Sequence, residues 1–336
     1  MKKNKLLSIT IILLFSCGVD TSEKNNSNNE NDSIAIQTGA VELNKKIIDQ
    51  PENAELYYQR GSIYFNSKYL NRAEIDFDEA IRLDSTNALY FYSQGRNYYA
   101  MGKTIKSSEC FETSIQLKPD FAEAKTKLAD LYFFAKEHKK SLLLTTSLLH
   151  DDKQNSYAYF LRGMNLKDLG DTASAIVNFQ KAIEYNNNDF DSYMQLGIIH
   201  TNIGNTIAID YLNGALRIKP NDTKALFARA VFLQHQKQFA MALHDYRKVV
   251  QFDPQNYQSY YNVGCINIEI FKIKEALRNF EICIKMNTEF SLAYFKRGLC
   301  HEIEKKYEDA LLNYKFALQL DPNLIDAKEA VKRLEK

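Results

Sequence analysis

Gly102-Lys103-Thr104 ends like a phosphate-binding loop, in which glycine N–H groups cradle phosphates, a lysine reaches them and a hydroxyl meets Mg²⁺. That loop also needs a glycine where Asn97 stands and a strand before it, whereas the residues on both sides read as helices. His301-Glu302 begins like the helix of a zinc protease, but Lys305 stands where the second histidine is required. The remaining histidines, His138, His150, His200, His235 and His244, are scattered without ligand spacing, so no metal site is expected. There is no Cys-x-x-Cys. Apart from Cys17, the cysteines are Cys110, Cys265, Cys283 and Cys300. In an oxidising compartment Cys283 and Cys300, on adjacent helices, are the pair placed to bridge; buried free thiols fit their small-residue positions equally well. The chain is therefore expected to have no catalytic residue, no metal, no cofactor and no small-molecule substrate.

Composition narrows the remaining classes. The 336 residues are 45% hydrophobic and 25% charged, ordinary for a chain that builds a sizeable core. A net charge of +1 offers no electrostatic basis for capturing nucleic acid. Only 5 Pro and 12 Gly suit a helical protein, and with no Trp the aromatic packing falls to 21 Tyr and 20 Phe.

The elements that must position these side chains are written most clearly from Ser291 to Leu324. Tyr294, Gly298 and His301 lie at i, i+4 and i+7, one stripe of a helix; Ala310, Tyr314 and Ala317 repeat that spacing on a second helix, which Asp321-Pro322 ends. Gly298 and Ala317 let the two backbones approach, and Tyr294 and Tyr314 fill the space beside them. The segment recurs at steps of 34 residues. Its tight position holds Gly61, Gly95, Ala129, Gly163, Gly197, Ala230, Gly264 and Gly298. Small residues open the second stripe at Ala73, Ser107, Ser141, Ala175, Ala208, Ala242, Ala276 and Ala310. Four residues later come Phe77, Phe111, Thr145, Phe179, Leu212, Tyr246, Phe280 and Tyr314.

This pattern resembles the tetratricopeptide repeat family from Ala54 to Leu324. The resemblance implies an all-α, right-handed α-α superhelix of about eight helix pairs, at 54–87, 88–121, 122–155, 156–189, 190–222, 223–256, 257–290 and 291–324. A capping helix at 37–53 precedes them and another at 325–336 follows, with Ala327, Val331 and Leu334 inward. Helices of about a dozen residues are marginal alone, so each pair must lean on its neighbours. Two repeats depart from the pattern. In 122–155, Lys125, Thr145 and Leu148 occupy signature positions, which leaves its packing open; 190–222 lacks one residue near Gly204 to Thr206, where a local change of curvature is expected.

The N-terminus carries an address. Lys2, Lys3 and Lys5 precede an apolar run from Leu6 to Phe15 that is too short to span a bilayer. The run ends Leu14-Phe15-Ser16-Cys17-Gly18, which resembles the lipobox of bacterial lipoproteins, although Phe15 is bulkier than the residue usual there. The resemblance implies a signal peptide at 1–16, a lipidated Cys17 and, with Gly18 rather than Asp next, a bacterial outer membrane with the chain facing the periplasm. An ordinary secretory signal or an uncleaved anchor is the alternative. Residues 17–36, rich in Asn, Ser, Asp and Glu, read as a disordered tether.

In the family the first helices line the concave side. The core stripe uses repeat positions 4, 8 and 11, so position 5 points about 100° away, with position 9 beside it. Position 5 supplies Tyr58, Tyr92, Phe160, Met194, Phe227, Tyr261 and Phe295; position 9 turns from Ser62, Arg96 and Asp130 to Met164, Ile198, Val231, Cys265 and Leu299. Either Tyr58, Tyr92, Phe160, Met164, Met194, Ile198, Phe227, Val231, Tyr261, Phe295 and Leu299 form an apolar groove for a partner peptide or helix, or these side chains pack sideways between first helices. Arg60, Arg162, Arg229 and Arg297 precede the tight position; Asp76 and Asp245 face two of them, so pairing within the repeat is expected rather than a ligand clamp. The Lys and Asn pattern by which some family members grip a terminal carboxylate is missing, since Tyr58 and Ser62 stand there. The reading that follows is a membrane-anchored, non-catalytic scaffold that holds a protein or peptide in an envelope assembly or transport complex. The alternative is an adaptor that regulates, or presents substrate to, an envelope enzyme such as a cell-wall hydrolase or protease.

Overall fold

The computed structural model describes residues 29–335, and all regular structure among them is α-helical. After α1 (Asn29–Asp49) come eight helix pairs: α2 (Ala54–Asn66) with α3 (Leu70–Leu83), α4 (Ala88–Ala100) with α5 (Thr104–Leu117), α6 (Ala122–Phe134) with α7 (His138–Asp151), and α8 (Ser156–Asp168) with α9 (Thr172–Tyr185). They continue as α10 (Phe190–Asn202) with α11 (Ala208–Ile218), α12 (Thr223–His235) with α13 (Phe239–Phe252), α14 (Tyr257–Glu269) with α15 (Ile273–Met286), and α16 (Ser291–Ile303) with α17 (Tyr307–Leu320). The last helix is α18 (Ile325–Leu334). The chain divides after Asn187 into two compact units. In the first, each helix packs on the next from α1 to α9; in the second, from α10 to α18.

Local chemistry sets where the helices begin and turn. Side chains of Asn53, Asn87, Asn155, Asp189, Asp222 and Asn256 accept a hydrogen bond from a backbone N–H in the first turn of α2, α4, α8, α10, α12 and α14, satisfying a donor the helix itself leaves orphaned. Within each pair the chain reverses through a residue at positive φ: Gly102, Gly170 and Gly204, but also Lys68, Lys136, Lys237, Phe271 and Lys305. Glycine adopts that conformation freely; Phe271, at φ 60°, does not.

The tight position does what its small residues require. A Cβ added to Gly95, Gly163 or Gly264 would stand 2.7 Å from Cε1 of Phe111, Phe179 or Phe280, rings that are fully buried against the first helix. Each ring thus fills the space that a missing Cβ leaves, and close packing ties the two helices of the pair.

Two expectations need revision, and one open point is answered. Where 29–36 read as part of a disordered tether, α1 already runs from Asn29, because Ile34, Ala35 and Ile36 continue an apolar sequence and Glu30 and Asp32 are residue types that suit a helix start. Residues 1–28, with the signal peptide, Cys17 and the rest of the tether, lie outside the described residues. In 190–222 the missing residue falls on the second helix. α11 has 11 residues where the other second helices have 14, and the chain enters it through i to i+3 bonds from Ala208 to Asn205, Ile209 to Thr206 and Asp210 to Ile207. In 122–155, finally, Lys125 is 5% exposed: it takes the place of an aromatic, and its ammonium reaches Asp151 Oδ2 at 2.7 Å and Ser147 Oγ at 2.9 Å. The stem of Lys125 fills the core and its buried head is met by the more exposed carboxylate of Asp151; that Lys125 ammonium, with His150, holds Asp151 below the usual carboxylate range.

The first-helix face as candidate functional site

The motifs that imitated chemistry have structural duties. Gly102 is the turn between α4 and α5; Lys103 pairs with Glu74 at 2.9 Å, and Thr104 starts α5. Glu302 accepts a hydrogen bond from the Tyr314 hydroxyl at 2.6 Å and pairs with Arg333 at 2.8 Å. Among the described residues no group of three or more His, Cys, Asp or Glu side chains is placed to hold a metal, and no helix is long and apolar enough to cross a membrane. Cys110, Cys265, Cys283 and Cys300 are free thiols, Cys283 and Cys300 fully buried. Burial pushes Cys110, Cys283 and Cys300 up to about 12 and Cys265 to about 11, so none presents a thiolate.

The arginines before the tight position are occupied. Arg60 forks onto Asp76 at 2.8 and 2.6 Å and reaches Asn44 at 2.6 Å; Arg229 forks onto Asp245 at 2.7 and 2.9 Å and reaches Asn213 at 2.8 Å. Arg162 and Arg297 make the neutral version of this contact with Asn178 and Asn313, at 2.6 and 2.7 Å. Each arginine pins a first helix to the second helix of its own repeat, and two of them also reach the helix before. None is a free clamp.

What remains is the face of the first helices. The position-5 rings lie across the buried ring of their own repeat: Tyr58 is 6.1 Å from Phe77, Tyr92 5.8 Å from Phe111, Phe160 6.0 Å from Phe179, Phe227 5.6 Å from Tyr246, Tyr261 5.9 Å from Phe280 and Phe295 5.5 Å from Tyr314. One side of each ring is packed and the residue stays half-buried. Met164, Ile198 and Leu299 are half-buried in the same way. Met194 and Val231, at 4% exposed, are not: they belong to the core, on α10 and α12, two first helices that touch directly. Sideways packing thus takes two of the eleven residues, and nine keep a surface on this face.

Contacts that sequence reasoning missed lie on the same helices. Arg96, exposed on α4, lies over Phe65 of α2 at 4.8 Å and over Tyr92 at 5.7 Å. Asp130 accepts a hydrogen bond from the Tyr157 hydroxyl at 2.6 Å, and burial pushes its carboxyl above the ordinary range. The recurrence of Phe65, Tyr99 and Phe133 one turn beyond the tight residue was the available signal. On this face the first unit is mixed aromatic and charged, while the second offers Ile198, Tyr261, Cys265, Phe295 and Leu299.

Comparison with known proteins agrees with this architecture. A family model described as Tetratricopeptide repeat matches residues 54–87, 88–121 and 156–189. The chain is 22% identical over 283 residues to mouse Superkiller complex protein 3, covering 79% of this chain but 18% of that protein. It is 21% identical over 306 residues to human DnaJ homolog subfamily C member 7, covering 82% of this chain and 62% of that one. The chain therefore spans less than two thirds of the length of these relatives. Among solved structures, the C-terminal part of a TPR repeat-containing protein from Cytophaga hutchinsonii superposes with a TM-score of 0.59 at 18% identity, over 71% of this chain and 99% of that one. A tetratricopeptide repeat protein from Parabacteroides merdae superposes at 0.53 and 15%, over 74% and 99%.

Proposed function

From tetratricopeptide repeats folded as stacked helix pairs, we propose that this chain is a non-catalytic scaffold that holds a protein or peptide partner on the face of its first helices, at a bacterial envelope membrane to which a lipidated Cys17 ties it. The observation that carries the reading is the half-exposed apolar side chains that the first helices present within each unit, Phe160 and Met164 in one and Ile198, Tyr261, Phe295 and Leu299 in the other. The rings of Phe160, Tyr261 and Phe295 already lie on the buried ring of their own repeat, which limits the side-chain entropy lost when a partner covers them. The repeats are of a kind that serves protein–protein interaction, which supports a partner rather than a substrate. The basic start, short apolar run and Leu14-Phe15-Ser16-Cys17 support the anchor, an outer-membrane location facing the periplasm, and a part in envelope assembly or transport.

Site-specific photocrosslinking in intact cells tests the partner site. A photoreactive phenylalanine analogue placed at Phe160 or Ile198 should give one discrete adduct that the same analogue at Ile75, an exposed second-helix residue, does not give. Adducts of equal yield at all three positions, or none, would sink the proposal. For the anchor, Cys17→Ser should move the chain from the membrane fraction to the soluble one.

A further inference from the structure

The second unit contains a cleft of about 330 Å³ between α11 and α13, floored by α12. Its floor is Leu233, 1% exposed, and the Arg229–Asp245 pair; Ile209 walls one side and Met241, 57% exposed, the other. The first unit holds the same constellation in the same register. There Asn44, Arg60 and Asp76 make the hydrogen bonds that Asn213, Arg229 and Asp245 make here. In the first unit, however, the side chains at the corresponding register positions are large and pack on one another. Tyr64 and Tyr69 stand at the register positions of Leu233 and Gln238, their rings edge to face at 6.5 Å, and Arg72, at the position of Met241, covers both at 5.6 and 5.5 Å. The deleted residue widens the difference: α1 runs through the point at which α11, short of its first turn, begins.

We propose that the α11–α13 cleft is a binding site for a tyrosyl or phenyl side chain presented by a partner protein, a site separate from the first-helix face. The repeat around Arg60 shows which groups this framework carries at the register positions of the cleft: two phenol rings packed edge to face beneath one arginine. In the repeat around Arg229 both rings are gone and the framework is kept. The floor carries one positive and one negative charge that cancel, which disfavours a charged ligand and leaves a flat apolar contact as the basis of recognition. The guanidinium of Arg229, partly exposed, lies where it can underlie an aromatic face. Met241 adds a polarisable thioether at the rim, a favourable neighbour for a ring edge.

The protein with ¹³C-methyl-labelled methionine is titrated with p-cresol, the side chain of tyrosine capped by hydrogen. The Met241 methyl signal should move upfield and saturate, while those of Met101, Met164 and Met286 hold still. Cyclohexanol, of similar size without a π-face, should bind several-fold more weakly. Gln238→Tyr, which restores an exposed position of the first repeat, and independently Ala240→Leu should abolish the Met241 shift with helicity unchanged. The inference is overturned if Met241 does not respond, if Met164 and Met286 respond equally, if cyclohexanol binds as tightly, or if both variants titrate like the parent.

Discussion

The tight contact between Gly163 and Phe179 allows a test whose sign changes with one other residue. A Cβ at Gly163 would lie 2.7, 2.9 and 3.1 Å from three carbons of the Phe179 ring, the first two closer than Cβ atoms approach their neighbours in folded proteins. The ring is fully buried and cannot swing away, so Gly163→Ala forces the helices apart at an overpacking cost of about 1–3 kcal/mol. Alanine also returns about 1 kcal/mol, because glycine inside a helix is that much less favourable. The net loss should be about 1 kcal/mol. Two repeats carry alanine at the tight position: Ala129 faces Thr145 rather than a ring, which removes the clash, whereas Ala230 faces the buried Tyr246 in a pair whose helices already accommodate the Cβ. In a Phe179→Thr background the overpacking term vanishes and only the propensity gain remains, so Gly163→Ala should then stabilise by about 1 kcal/mol. The coupling between the two sites is about 2 kcal/mol, within the range seen for residues in contact. Urea midpoints by circular dichroism, with hydrogen exchange of α8 amides as the local readout, measure all four corners of the cycle. A Gly163→Ala change that stabilises the parent protein, or has the same sign in both backgrounds, would refute the idea that ring and glycine define the pair.

Arg60→Ala leaves Asp76, 2% exposed, without its cation and should lose about 3–5 kcal/mol. Asp76→Asn should lose only about 1 kcal/mol, since Arg162–Asn178 and Arg297–Asn313 already work as neutral pairs; comparing the two urea midpoints checks the order. His200 is 7% exposed, stacked on Tyr211, and neither ring nitrogen has a partner; burial lowers its pKa below the ordinary value, so the folded state holds it neutral. Its contribution is therefore complete above about pH 6.5 and shrinks as pH falls below it, by at most about 1.4 kcal/mol per unit. His200→Phe should flatten that acid limb in melts between pH 7 and 5. Phe271 is 86% exposed in a conformation that suits glycine, so Phe271→Gly should raise stability by about 0.5–1 kcal/mol in thermal denaturation, its gain limited by glycine's entropy in the unfolded chain.

The architecture was legible because it depends on local rules written eight times. The period fixes where an Asn or Asp caps six of the eight first helices, where a left-handed residue reverses the chain and where glycine meets a ring, and each rule joins residues within about half a repeat of one another. Departures from the rule were visible as departures, but their outcome was not. Lys125 in a core column reads as a defect until Asp151 and Ser147 are seen to receive its ammonium beyond the buried stem. Equally, one missing residue near Gly204 says nothing of which helix yields; the answer, a shortened α11 entered through i to i+3 bonds, depends on α10 keeping its full 13 residues so that its stripe can meet α12.

The candidate face shows where repeat register stops being informative. Met194 and Phe160 share a register position, as do Val231 and Ile198, yet Met194 and Val231 are buried while Phe160 and Ile198 keep a surface. Register gives the direction of a side chain from its own helix, whereas exposure depends on how near the next helix comes, a quantity set jointly by the small residues and rings of two repeats. The same argument applies to the α11–α13 cleft. Tyr64, Tyr69 and Arg72 pack on one another in one repeat at the register positions where Leu233, Gln238 and Met241 line a cleft in another, around a nearly identical hydrogen-bonded frame. Aligning repeats for what they conserve finds the fold; comparing what each places in the same frame is what locates sites that one repeat has and its sister has closed.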